Sequence, residues 1–151
     1  AGLLTAPNMG IYNAAKAAVV SLTETLYHDL NLVTDQIGAS LLCPYFVPTG
    51  ITSSERNRQD APQAAQLTKS QLIGQAMSNK AVSSGKITAG EIAHRVFDAI
   101  SANQFYVFSH PKALGNVQSR MENIVSVTNP ADPFLARPEI GIALKAQLRA
   151  A

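Results

Sequence analysis

Apolar positions along the first third of the chain recur with helical spacing. Ala15, Val19, Leu22, Leu26 and Leu30 form one stripe, and Glu24, Asp29 and Asn31 fall outside it. That period predicts a helix over residues 11–33, following Pro7 and Gly10. After the short turn at Asp35 and Gln36 the pattern becomes an almost unbroken apolar run over 37–43, stopped by Pro44. A run of this length suits a strand buried on both faces, as in a parallel sheet covered by helices. Residues 53–86 are rich in Ser, Gln, Asn and charge. Only Leu67, Leu72, Ile73, Ala76 and Met77 give a modest amphipathic stretch, so this segment reads as an excursion with short helices.

Helical order resumes at Thr88-Ala89-Gly90-Glu91, a capping-box pattern. The helix it opens carries Ile92, Val96 and Ile100 on one stripe, with Ala93 and Phe97 beside it. A second short strand is expected at 105–108, ended by Pro111. Another helix should run to about residue 127, with Leu114, Val117, Met121 and Ile124 inward. Pro130, Pro133 and Pro138 then interrupt the chain before a weak helix over 140–148.

Helix, strand, helix, strand, helix is an α/β order, and two strands joined through a helix should lie parallel. Two strands make a poor sheet under three amphipathic helices, so further strands are expected upstream. Residues 1–7 carry no initiator Met and no charged leader, which fits a piece cut from a longer protein.

The composition narrows the function classes. Of 151 residues nearly half are apolar, and the net charge is only +2 with the basic residues scattered. This leaves no stripe for nucleic acid, and no apolar run spans a bilayer. Cys43 is the single cysteine, which suits a reducing compartment and a cytoplasmic location. His28, His94 and His110 lack metal-ligand spacing, so no metal is expected. Ser21 and Ser40 have no paired base to make them nucleophiles. Asp29 and Glu24 read as ordinary helix-surface charges, and Cys43 as a small apolar side chain.

The chemistry points to two segments. Tyr12 and Lys16, four apart, share one face of the first helix. An ammonium there favours the phenolate and suits a tyrosine working as an acid–base group. The small residues Ala14, Ala15, Ala17 and Ala18 leave room for a flat cofactor. Pro44-Tyr45-Phe46-Val47-Pro48-Thr49 follows the first strand directly, and ligands of open α/β sheets bind beyond the carboxyl ends of strands. Either segment alone is common; their order and separation are more specific.

Together they resemble the later half of a short-chain dehydrogenase/reductase, in which a helix with Tyr-x-x-x-Lys precedes a buried strand and Pro-Gly-x-Val-x-Thr. The likeness covers residues 1 to about 128. It implies a partial Rossmann-like, doubly wound α/β domain with two parallel strands, a helical substrate lid over about 52–87, and a tail over 129–151. It further implies a hydride-transferring oxidoreductase acting on a small alcohol or carbonyl compound with NAD or NADP. Tyr12 would be the general acid/base and Lys16 its assistant and a ligand of the nicotinamide ribose. Pro44, Val47 and Thr49 would hold the carboxamide. Tyr45 stands where that family usually has Gly, and a Tyr does not readily adopt positive φ. No Gly-x-x-x-Gly-x-Gly loop occurs in the sequence, and the family's catalytic Ser would fall ahead of Ala1. The chain alone is therefore expected to be inactive, whereas the full-length protein is expected to be a homodimer or homotetramer. A competing expectation is a non-catalytic remnant that acts as an interaction module through Leu22, Leu26 and Leu30.

Overall fold

A computed structural model describes residues 1–57 and 67–149, with backbone only for 54–57. Helix α1 spans Gly10–Val33, strand β1 Leu41–Cys43, helix α2 Lys69–Ser83, helix α3 Ala89–Ser101, strand β2 Tyr106–Phe108, helix α4 Leu114–Val125 and helix α5 Pro138–Arg149. Short 3-10 turns occupy Gly50–Asn57 and Pro111–Ala113. The order is the mixed α/β one that the sequence predicts. The expected polar stretch between the first strand and α2 lies partly outside the described residues.

β1 and β2 pair in parallel, with Leu41 opposite Tyr106, Leu42 opposite Val107 and Cys43 opposite Phe108. Alternation puts Leu41, Cys43, Tyr106 and Phe108 on one face and Leu42 with Val107 on the other. α1 meets the first face, where the Tyr106 hydroxyl donates to Glu24 Oε1 at 2.5 Å, and it also touches the residue just before β2, with the Tyr27 and Phe105 rings 5.0 Å apart. α3 packs on β2, and Val107, Ile92, Ala99, Leu41 and Val47 are buried as the core.

Three sequence expectations need correction. The first strand is three residues long rather than seven, because residues 37–40 run beside the turn before β2. There the Ser40 hydroxyl donates to the Gln104 carbonyl at 2.9 Å, and the first ladder bond is Leu41 N–H to Phe105 O at 2.6 Å. The strand is also not buried on both faces, since Leu42 is 38% exposed beside buried Val107. α3 covers β2, and among the described residues no helix covers β1 in the same way. The stripe on α4 packs only through its first half: Leu114 and Val117 are half-buried, while Met121 and Ile124 are exposed. Glu24 is the third. It is a hydrogen-bond acceptor between α1 and β2 rather than an ordinary surface charge, and this carboxylate pushes the Tyr106 phenol up to about 12.

The capping box is present as expected. Thr88 Oγ1 accepts the Glu91 N–H at 3.2 Å, and Glu91 Oε2 accepts the Thr88 N–H at 2.8 Å. A second box, Thr68 with Gln71, opens α2 in the same way. Thr88→Ala should lower stability by about 1 kcal/mol, read from thermal or urea unfolding. The backbone N–H of Thr88, and then its hydroxyl, hold the Glu91 carboxyl below its ordinary value. A depressed carboxyl stabilises the fold above its unfolded value, and that contribution is lost as pH falls through the lower, folded one. Alanine keeps the backbone donor and loses only the hydroxyl's bond to Glu91, so only that share of the Thr88→Ala difference should disappear in acid.

α3 and α4 end alike, in Schellman geometry. Gln104 N–H reaches Ala99 O at 2.8 Å with Asn103 N–H on Ile100 O, and Thr128 N–H reaches Asn123 O at 2.9 Å with Val127 N–H on Ile124 O. The left-handed residue is Asn103 (φ 51°) in one and Val127 (φ 53°) in the other. Asn tolerates that region, but a β-branched residue is strained there. Val127 is 92% exposed, so little packing offsets the strain. Val127→Gly should raise unfolding stability by about 1 kcal/mol; an unchanged or lower midpoint would contradict this reading of the cap.

Candidate active site

The segment before α1 is fastened to the helix that carries Tyr12. A Cβ on Gly2 would lie 2.6 Å from Val20 Cγ2 and 2.7 Å from the Lys16 carbonyl, so only glycine allows the chain to pass this close. Asn13 is buried and donates from Nδ2 to the Ala6 carbonyl at 3.0 Å, and Arg120 of α4 reaches the Leu3 carbonyl at 3.3 Å. Asn13 Oδ1 has no partner among the described residues. These ties hold residues 2–6 against the first three turns of α1 and, through Arg120, against α4.

Tyr12 and Lys16 stand one turn apart on α1, with Lys16 Nζ 5.5 Å from the centre of the Tyr12 ring. The tyrosine is 39% exposed. Both line a cavity of about 280 Å³ whose wall also includes Leu41, Pro44, Tyr45 and His110. The wall is largely aliphatic, and the hydroxyl and ammonium are among its few polar groups. Cys43 lines it too, and burial pushes its thiol above the ordinary value. It is therefore a protonated, poorly nucleophilic group at neutral pH.

The chain leaves β1 at Pro44 and turns at the mouth of this cavity. Tyr45 is absent from the residues with positive φ, which are Asn8, Asn103 and Val127. The conformational problem anticipated for a Tyr in place of Gly thus does not arise. Instead the Tyr45 N–H donates to Ser109 Oγ at 2.7 Å, and its ring packs on Phe46 at 4.3 Å. Further along, Val47 is buried and Thr49 exposed. Of the residues expected at the site, Tyr12, Lys16 and Pro44 meet at the cavity; Val47 and Thr49 follow on the turn and are not in its wall.

Sequence reasoning missed Ser109 and weighed His110 only as a metal ligand. Ser109 is 1% exposed. No spacing rule marks it, because its partner Tyr45 is 64 positions away. Gly85 was equally unmarked. A Cβ there would meet the Phe46 carbonyl oxygen at 2.5 Å and Pro48 Cδ at 2.9 Å, so the segment after α2 rests directly on the turn. Among the described residues no group of three or more His, Cys, Asp or Glu could hold a metal ion. No described helix is long and apolar enough to cross a membrane.

No protein-family profile matches the chain. It is 32% identical over 130 residues to a CLA biosynthesis dehydrogenase/reductase of Lactiplantibacillus plantarum, an alignment taking in 83% of this chain and 45% of that protein. Among solved structures, a short chain dehydrogenase/reductase from Burkholderia phymatum in complex with NAD superposes with a TM-score of 0.84. The two are 52% identical, over 87% of this chain and 47% of the other. The chain thus spans about half the length of the relatives it matches. In sequence and in its Rossmann-like fold it resembles, over that half-length, the short-chain dehydrogenases/reductases.

Proposed function

We propose that this chain supplies the acid–base part of a nicotinamide-dependent oxidoreductase that interconverts an alcohol and a carbonyl compound. The observation that carries the reading is the meeting of Tyr12, Lys16 and Pro44 at one cavity beside the end of β1. The residues fit the nicotinamide end of the cofactor. Lys16 offers an ammonium to ribose hydroxyls, and the turn 44–49, anchored by buried Val47, offers backbone groups and the Thr49 hydroxyl to the carboxamide. The sequence has no Gly-x-x-x-Gly-x-Gly loop for the phosphates, so this chain alone should bind cofactor poorly and be inactive. NAD, present in the Burkholderia structure, is the first cofactor to test, and NADP the second.

When bound, the nicotinamide supplies or accepts the hydride. Tyr12 donates its hydroxyl proton to the substrate oxygen as a carbonyl is reduced, and takes a proton from the alcohol in the reverse direction. Lys16 stabilises the phenolate left behind. The aliphatic wall excludes water from the reacting carbon and favours a substrate with apolar flanks. The deciding experiment is cofactor-dependent turnover by the full-length gene product, with and without the Tyr12 hydroxyl.

One observation favours a second reading. On α1, Leu22 is 72% exposed, with Leu26 exposed one turn on, which is the surface an interaction module would use. In that case turnover is absent, and substituting these leucines, not Tyr12, changes the protein's behaviour.

A further inference from the structure

We propose that Ser109 is a positioning residue for the cofactor-binding turn, an inference that rests on the oxidoreductase reading above. Three hydrogen bonds converge on this one residue, which is almost wholly enclosed. Its Oγ accepts the Tyr45 N–H at 2.7 Å and lies 2.9 Å from His110 Nδ1, while its carbonyl accepts from Arg95 Nη1 of α3 at 2.6 Å. With the Tyr45 N–H on one lone pair, the serine hydroxyl has its own proton to give to Nδ1.

The arrangement ties the two strand ends together just beyond the last ladder pair, Cys43 with Phe108. Strand pairing stops there, yet the turn 44–49 must hold one shape to meet a planar carboxamide. Ser109 extends the connection by one side-chain bond, and Arg95 fixes Ser109 from α3. Tyr45 and His110, whose rings lie 5.6 Å apart, are thereby set as neighbouring parts of the cavity wall. The donor is the backbone N–H of residue 45, so the constraint on the turn comes from Ser109 and not from the Tyr45 side chain.

The test uses the full-length gene product with NADH and NADPH as probes, comparing wild type, Ser109→Ala and Ser109→Cys. The alanine variant simply removes the hydroxyl, while the cysteine variant fills the space with a larger, weakly accepting sulfur, so the two lose the acceptor with opposite effects on packing. Losing the acceptor should raise the cofactor KM by about tenfold. At saturating cofactor kcat should fall by much less, and hydrogen exchange at the Tyr45 amide should quicken. A merely structural serine would change thermal stability and leave the cofactor KM alone. An active wild type whose folded variants keep the wild-type KM would overturn the positioning role. A wild type inactive with both cofactors would instead overturn the oxidoreductase reading beneath it.

Discussion

Tyr12→Phe in the full-length gene product is expected to lower turnover by about 100- to 10,000-fold, the range typical of a lost general acid–base group. Cofactor affinity should move by less than about twofold. The substitution removes one oxygen and nothing else. The ring that sits 5.5 Å from Lys16 Nζ is kept, and so is the shape of the cavity wall. An effect confined to kcat is the mark of an interaction made mainly as the proton moves. Steady-state kinetics together with cofactor titration separate the two quantities. Turnover retained in the phenylalanine variant would remove Tyr12 from the mechanism.

Gly85→Ala should act on the same site from a different direction. The added methyl would fall 2.5 Å from the Phe46 carbonyl oxygen, 2.9 Å from Pro48 Cδ and 3.0 Å from the Phe46 carbonyl carbon. Backbone atoms and a proline ring cannot rotate out of the way as a long side chain can. Either the end of α2 lifts or the turn 44–49 is displaced. Overpacking of this kind costs about 1–3 kcal/mol, which a shift in thermal midpoint would record. Because the turn is the proposed carboxamide site, the cofactor KM should rise as well. A stable variant with unchanged kinetics would mean that the contact between Gly85 and the turn is not maintained in solution.

Much of the local order was legible in the chain. The 3.6-residue stripe from Ala15 to Leu30 marks α1, and Thr88 with Glu91 marks the start of α3 by hydrogen-bond chemistry alone. Thr68 and Gln71 had the same signature and could have been read in the same way. Burial was less legible. A continuous apolar run such as 37–43 does not say which element will cover its faces, and Leu42 is exposed because no described helix packs on β1 as α3 packs on β2. Tyr12 and Lys16 were legible because their relation is local, one turn of one helix. The links of Tyr45 to Ser109 and of Glu24 to Tyr106 span 64 and 82 positions. No sequence period connects such residues; only the parallel pairing of β1 with β2 and the docking of α1 bring them together.

Nicotinamide chemistry at the cavity between α1 and the turn after β1 is the proposal on which the kinetic predictions rest. An experimental structure of the full-length gene product with NAD decides it. The expected result is a nicotinamide ring in that cavity, its ribose within hydrogen-bond reach of Lys16 and its carboxamide on the turn 44–49. A cofactor bound with its nicotinamide away from Tyr12 and Lys16, or no binding at millimolar NAD, would contradict it.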